Sequence, residues 1–310
     1  MTKIDAIDKK LLFELFQNCR RSDKEIGHNV RLSKQSVNYR IRRLENQGVI
    51  RGHTISLDKS KFGLSRFTVF LQFPKEVSLE EAIKRLKKFE QISTIIECLG
   101  KWDLYATIWA KDTGDLHKII KEILIQIPIN RISILSVIYS HMLLYEILKQ
   151  KEIQKLHYTR PLKFRKIKLD STDTKILEIL KADSRESITK ISEITGLSIT
   201  AVRERIKKLV NAGIISRFFS AIDMAKLGYQ EYQFLCKIDS RKYHLIDHFI
   251  DFLKTIKEVS YILQTIGEWN LCFSVYCNNP EDLRSFIKKI NSHSDNILVD
   301  YDTVIIGHVV

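Results

Sequence analysis

Leu32-Ser33-Lys34-Gln35-Ser36-Val37-Asn38-Tyr39-Arg40-Ile41-Arg42-Arg43-Leu44-Glu45-Asn46-Gln47-Gly48 decides the fold, and Leu197-Ser198-Ile199-Thr200-Ala201-Val202-Arg203-Glu204-Arg205-Ile206-Lys207-Lys208-Leu209-Val210-Asn211-Ala212-Gly213 repeats it. Val37, Ile41 and Leu44 recur at helical spacing and mark one buried face. Ser33 stands where an N-cap belongs, and Gly48 suits the left-handed residue that ends a helix. Upstream, Ile4, Ile7, Leu11, Leu12 and Leu15 outline an amphipathic helix with Asp5 and Asp8 in its first turn, where they complement the helix dipole. A shorter helix fits Asp23 to Val30. Three short helices with a tight turn before an N-capped third describe a helix-turn-helix, whose last helix enters the major groove of DNA.

The repeat runs well beyond that helix. Ile4 to Leu15 aligns with Leu169 to Leu180, Asp8 falling on Asp173, an offset of 165 that continues without a gap to Gly63/Gly228. Leu99-Gly100-Lys101-Trp102-Asp103-Leu104 then matches Ile266-Gly267-Glu268-Trp269-Asn270-Leu271 at an offset of 167. The chain is therefore a duplicated two-domain unit. Between the copies, Lys149 to Lys168 carries eight Lys and Arg residues against one acid, Glu152. This segment reads as a helical tail and a linker around Pro161, serving either as a phosphate-contacting arm or as a solvated tether.

Composition fits this reading. The 310 residues are 44% hydrophobic, enough for several cores, and carry a formal charge of +14, which favours a polyanionic partner and nucleic acid before membrane. No apolar run approaches the roughly 20 residues that cross a bilayer, and the N-terminus has no signal-peptide core. Five cysteines, Cys19, Cys98, Cys236, Cys272 and Cys277, form no CxxC and are odd in number, which fits a reducing compartment. A soluble, cytoplasmic chain is expected. His244 and His248 have i, i+4 spacing, but without a third ligand they read as a solvated helix face.

The apolar stripe leaves Lys34, Gln35, Ser36, Asn38, Tyr39, Arg40, Arg42 and Arg43 outward. Gln and Asn can pair bidentately with adenine, so Gln35, Ser36 and Asn38 are candidate base readers, while Arg40, Arg42 and Arg43 hold phosphates or support packing. In the second copy the outward set is Ile199, Thr200, Arg203, Arg205, Lys207 and Lys208, with Glu204 among them. Ile199 and Thr200 suit thymine methyl groups; Glu204 repels phosphate unless it meets a cytosine amine or an Arg. Either the two helices read different half-sites or the second supports the first.

Leu169-Asp170-x-x-Asp173-x-x-Ile176-Leu177 and Leu32-Ser33-x-x-x-Val37-x-x-Arg40-Ile41-x-x-Leu44-Glu45-x-x-Gly48-Val49-Ile50 resemble the Lrp/AsnC (feast/famine) family of regulators. The resemblance covers nearly the whole chain apart from the linker. It implies an α+β chain in which two winged or helix-turn-helix three-helix domains alternate with two ferredoxin-like βαββαβ sensor (RAM) domains: residues 1–60, 61–148, a basic linker 149–168, 169–225 and 226–310. Connecting strands then fall at Arg51 to Asp58 and Ser216 to Asp223. In the first sensor, strands fit Arg66 to Phe73, Ile92 to Leu99, Leu104 to Ala110 and Ile132 to Ser140, with helices at Leu79 to Phe89 and Gly114 to Ile127. In the second, strands fit Glu231 to Ile238, Val259 to Ile266, Leu271 to Cys277 and Ile297 to Gly307, with helices at Tyr243 to Ile256 and Pro280 to Ile290.

The family senses small molecules, commonly amino acids, near the turn between the second and third sensor strands. By resemblance that role passes to Gly100, Lys101, Trp102 and Asp103 and to Gly267, Glu268, Trp269 and Asn270, a carboxylate receiving the amino group. Asn270 replaces the acid of copy one, which puts the second pocket in doubt. Family members dimerise through their sensor sheets, so the two halves here can form that pair internally, with further homo-oligomers built on the remaining sheet surfaces. Double-stranded DNA and a small-molecule effector are the expected partners; a membrane, a metal, a cofactor and enzymatic activity are not expected. One alternative is an architectural DNA-binding protein of weak sequence specificity. Another is an enzyme similar to the sirohaem decarboxylases, which share this layout, but Val259 to Thr265 lacks the histidine expected before Glu268-Trp269-Asn270-Leu271.

Overall fold

The computed structural model of the chain describes residues 4–143, Leu148, 169–294 and 297–309. The basic segment 149–168 lies outside the described residues. Copy one runs α1 (Ala6–Asn18), α2 (Asp23–Val30), α3 (Lys34–Asn46), β1 (Ile50–Leu57), β2 (Ser65–Gln72), α4 (Leu79–Leu86), β3 (Ile92–Leu99), β4 (Leu104–Ala110), α5 (Thr113–Gln126) and β5 (Arg131–Met142). Copy two repeats the order as α6 (Ser171–Ala182), α7 (Ile188–Thr195), α8 (Ile199–Asn211), β6 (Ile215–Ile222), β7 (Gln230–Ile238), α9 (Ile246–Lys254), β8 (Val259–Ile266), β9 (Leu271–Cys277), α10 (Pro280–His293) and β10 (Leu298–Val309). Among the described residues no helix is long and apolar enough to cross a membrane.

The domains alternate along the chain but pair like with like in space. Both helix-turn-helix copies form one compact unit, and both sensor copies form a second; the chain changes unit between Phe62 and Gly63 and between Gly228 and Tyr229.

In the helical unit, local capping fixes each helix start. Asp5 accepts from Asp8 N at 2.7 Å while Asp8 accepts from Asp5 N, and Asp170 and Asp173 repeat the box. Ser33 and Ser198 cap α3 and α8, and Gly48 and Gly213 take φ of +66° and +69° beyond their ends. No hairpin wing follows. Instead β1 and β6 pair antiparallel with each other, Thr54 opposite Phe219, which are equivalent positions of the two copies. A pseudo-twofold axis therefore passes between them. Cys19 N donates to Phe218 O and its equivalent Ser184 N donates to His53 O, while the side chains of Cys19 and Ser184 meet at 3.0 Å. Residue i touches j and j touches i, the rule of an isologous dimer, here within one chain. The exchange reaches the core: Ile55 of copy one packs among Ile176, Leu180, Val202 and Leu209 of copy two.

In the sensor unit each copy forms a four-stranded antiparallel sheet, β3-β4-β2-β5 and β10-β7-β9-β8, the ferredoxin-like order. Their edges join, β5 to β8 and β10 to β3, closing an eight-stranded barrel without a free edge. Ser136 opposite Ile266 is repeated by Ile305 opposite Leu99, so the two seams are pseudo-equivalent. Strand alternation sends one set of side chains outward under the helices: Val69, Leu71, Leu104 and Ile108 meet α4 and α5, and Phe234, Phe273 and Val275 meet α9 and α10. The other set fills the barrel with Phe70, Leu135, Leu235, Leu263, Cys272 and Val304. His244 lies in a 3-10 turn (Ser240–Leu245) ahead of α9, so it does not share an α-helical turn with His248. All five cysteines are free and buried.

Candidate nucleic-acid interface and sensor turns

The outward residues of α3 divide into two groups. Arg40 Nη1 donates to Asp5 Oδ2 and to the fully buried Asp8 Oδ1, each at 2.7 Å, and Arg43 Nη2 reaches Asp8 Oδ2 at 2.5 Å. Arg205 makes the same pair of bonds to Asp170 and Asp173, at 2.6 and 2.7 Å. These three arginines tie the third helix to the first; for Arg40 and Arg43 this is the packing role open to them in the sequence, and Arg205 repeats it. Ser36 shares a 2.9 Å hydrogen bond with Ser33, and Asn38 Nδ2 donates to Asp23 at 3.3 Å. Lys34, Gln35, Tyr39 and Arg42 stand exposed, Tyr39 at 68%, and Gln35 and Tyr39 line a surface cleft of about 420 Å³ with Leu32, Ser36, Arg40 and Arg43. On α8 the exposed set is Ile199, Thr200, Arg203, Glu204, Lys207 and Lys208.

Supports of α3 escaped the sequence reading because they come from the other copy or from β1. Arg185 pairs with Asp23 at 2.6 Å, the acid that receives Asn38, and also donates to Cys19 O. His53 bridges Glu45 on α3 at 2.8 Å and Ser220 on β6 at 2.7 Å. Only a long-range pairing invisible to local spacing brings these together.

Charge holds this unit together in a pH-dependent way. Burial opposes ionisation of Asp5 and Asp223, but hydrogen bonds from Arg40 and Arg51 outweigh it and keep both carboxyls below the usual 3.8. The Arg205 bond lowers Asp170 likewise. A depressed carboxyl contributes stability above its unfolded value and loses it as pH falls through its folded value. Thermal melts of the helical unit are expected to hold steady above pH 4 and to fall progressively below it, with Asp170→Asn flattening the slope. In the sensor unit burial pushes the Glu231 carboxyl up, which gives that group the opposite sign. An unchanged melting temperature from pH 5 to pH 3 would remove these pairs from the stability argument.

The sensor turns follow the β3 and β8 ends. Phe73 N donates to Asp103 Oδ2 at 2.7 Å, and Ile238 N donates to Asn270 Oδ1 at 3.0 Å. The acid of copy one thus secures a backbone amide, and Asn270 secures the equivalent amide of copy two. Trp102 and Trp269 are 0% and 5% exposed and belong to the barrel core, where burial of an indole outweighs a place at the surface. Gly100, Gly267 and Glu268 remain exposed. The two turns meet: Lys101 Nζ lies 3.8 Å from Glu268 and 3.6 Å from Asp302, and stands 5.3 and 5.6 Å from the ring centres of Trp102 and Trp269. Among the described residues no group of three His, Cys, Asp or Glu is placed to hold a metal.

Two N-capped third helices with exposed basic and polar faces, carried on twofold-related three-helix domains, define a helix-turn-helix DNA-binding protein. A winged helix-turn-helix DNA-binding family profile matches residues 4–51 and 169–216. The transcriptional regulator FL11 of Pyrococcus horikoshii is 33% identical over 128 residues, 41% of this chain and 83% of its own length. LrpA of the same organism is 33% identical over 117 residues, 38% of this chain and 83% of its own. The chain belongs to the Lrp/AsnC family of helix-turn-helix transcriptional regulators, and the profile's double match marks it as a tandem form. The crystal structure of the siroheme decarboxylase NirDL is similar over 98% of this chain and 92% of that one, with a TM-score of 0.65 at 13% identity, a likeness of fold.

Proposed function

We propose that the chain is a sequence-specific regulator that reads two unlike half-sites on duplex DNA and responds to a small molecule such as an amino acid at its sensor turns, with higher homo-oligomers built on the sensor domains. The observation that carries it is the division of the recognition helices. Arg40, Arg43 and Arg205 are committed to internal acids, whereas Lys34, Gln35, Tyr39 and Arg42 on α3, and Ile199, Thr200, Arg203 and Lys207 on α8, face solvent with different chemistry. A pseudo-twofold dimer of this kind engages sites one helical turn apart, about 34 Å or 10 base pairs. Its operator is correspondingly imperfect as a palindrome.

The effector reading rests on the exposed Gly100 and Gly267 backbones beside Lys101 and Glu268, with Trp102, Asp103, Trp269 and Asn270 as the frame of the turns. A non-enzymatic role is favoured because neither β3 nor β8 contains a histidine to act as an acid.

Selection of bound duplexes from a random pool with the purified chain tests the reading. Two different half-motifs with centres about 10 base pairs apart are expected. Recovery without any motif overturns sequence-specific reading in favour of architectural binding through phosphate contacts.

A further inference from the structure

The C-terminal end of each recognition helix is met by a segment of the other copy. Lys226 Nζ donates to the carbonyl oxygen of Gln47, the residue that caps the end of α3, at 2.9 Å. Asp223 N donates to Val49 O at 2.8 Å, and the Asp223 carboxylate pairs with Arg51 at 2.7 Å. The same carboxylate accepts from Lys226 N at 3.2 Å, which fixes the 3-10 turn (Ala225–Leu227) that carries the lysine. Asp223 and Lys226 lie in the connector that runs from β6 to β7 in copy two, whereas α3 belongs to copy one.

The arrangement is reciprocal. Asp58 and Lys61 are the equivalents of Asp223 and Lys226. Asp58 N donates to Ile214 O at 3.0 Å, and Lys61 Cε lies 3.3 Å from where a Cβ on Gly213 would stand. A Cβ on Gly48 would collide with Lys226 Nζ, so the glycine that ends α3 also admits the lysine. Serine stands at 216 where copy one has Arg51, so the Arg51–Asp223 ion pair has no counterpart at the end of α8. The last carbonyls of a helix have no partner within it and form the negative end of its dipole; an ammonium there satisfies an acceptor and opposes that charge.

We propose that Lys226 is a positioning residue for α3, acting from the opposite copy: the connector of copy two sets the pose in which copy one meets its half-site. The proposal rests on the reading of α3 as a helix that enters DNA. The lysine acts through the Gln47 carbonyl and not on the bases, since Gln47 stands roughly 20 Å along the helix axis from Lys34 and Gln35. Holding that carbonyl keeps the last turn of α3 from fraying and fixes its direction against the other copy.

Lys226→Met keeps the length of the side chain and removes the donor; Lys226→Arg keeps a cation and a donor. Hydrogen exchange read by mass spectrometry on the full chain, without DNA, is expected to quicken about two- to fivefold at residues 43–49 in Lys226→Met. Residues 208–214 at the end of α8 keep the parent rate, and Lys226→Arg restores the rate at the end of α3. On duplexes with one half scrambled, Lys226→Met loses affinity by a similar factor where the α3 half is intact and none where only the α8 half is. The melting temperature and the slope of log K against log salt stay those of the parent. Unaltered exchange at residues 43–49 overturns the proposal, as does equal quickening at both helix ends, which marks general destabilisation. A salt slope reduced by about one with equal losses on both halves makes Lys226 a phosphate contact and overturns it as well. If the unaltered chain prefers no half-site, sequence-specific reading fails by itself, and the exchange rates alone decide whether Lys226 positions α3.

Discussion

Simultaneous replacement of Lys34, Gln35 and Tyr39 by alanine is expected to erase one half of the operator while leaving the melting temperature of the chain within error. All three side chains are exposed on α3, none shares in the α1–α3 ion-pair network, and Gln35 and Tyr39 line the cleft at the start of the helix. A good base contact contributes about 1–3 kcal/mol of discrimination, so the loss of the set corresponds to roughly a hundredfold or more in affinity at the preferred duplex. Thr200→Ala with Arg203→Ala on α8 is expected to erase the other half instead. Arg42 is exposed on the same helix; if it holds a phosphate, Arg42→Ala is expected to lower affinity evenly across sequences and to reduce the slope of log K against log salt by about one. Electrophoretic or anisotropy titrations against duplexes with each half scrambled separate these results. Equal losses on both halves from the α3 variant would mean that the copies do not read DNA independently.

Arg40 provides the contrast that makes the comparison informative. Its guanidinium is spent on Asp5 and Asp8, so Arg40→Ala leaves a buried carboxylate short of a partner, a change that typically costs about 3 kcal/mol. A DNA-binding defect in that variant tracks unfolding, and lower temperature rescues it. An alanine scan read without melting temperatures merges the two classes.

What the sequence made legible follows from which interactions are local. Helix ends were readable because caps are short-range: α2 runs over Asp23–Val30 as the spacing predicts, and Ser33 and Ser198 cap the helices that they precede. The sensor strands at Ile92–Leu99, Leu104–Ala110, Val259–Ile266 and Leu271–Cys277 were readable because each is a short, largely apolar run bounded by turn residues. The helix expected at Tyr243 to Ile256 begins only at Ile246, since Asp239 caps a 3-10 turn that occupies the first positions. The exchange of β1 and β6, the Arg185–Asp23–Asn38 chain and the contact of Lys101 with Glu268 all join residues more than a hundred positions apart. Periodicity carries no information about such contacts. The duplication did, because a pseudo-dimer inherits the self-complementary surface of a true one. That Trp102 and Trp269 point inward was not readable at a turn, where the strand's alternation has already ended.

The sensor turns look interchangeable in sequence, yet Gly267→Ala is expected to destabilise the barrel more than Gly100→Ala. Both glycines have positive φ, +150° and +125°, so each substitution carries a backbone cost of about 1–3 kcal/mol. Space separates them. A Cβ on Gly100 meets no atom within 4 Å, whereas one on Gly267 falls 2.7 Å from Ile134 O and 2.8 Å from Leu135 Cδ2. Ile134 O belongs to β5, next to the seam where Ser136 pairs with Ile266, so relief requires shifting the junction that closes the barrel. With the added clash the expected loss for Gly267→Ala is about 3–4 kcal/mol. At about 2–4 °C per kcal/mol for a domain of this size, its transition falls by roughly 6–16 °C, against roughly 2–12 °C for Gly100→Ala, where the clash is absent. Differential scanning calorimetry on the full chain resolves the two. Equal shifts would show that the β5–β8 seam yields without cost, and the closed barrel would then owe its integrity to the other seam, β10 on β3.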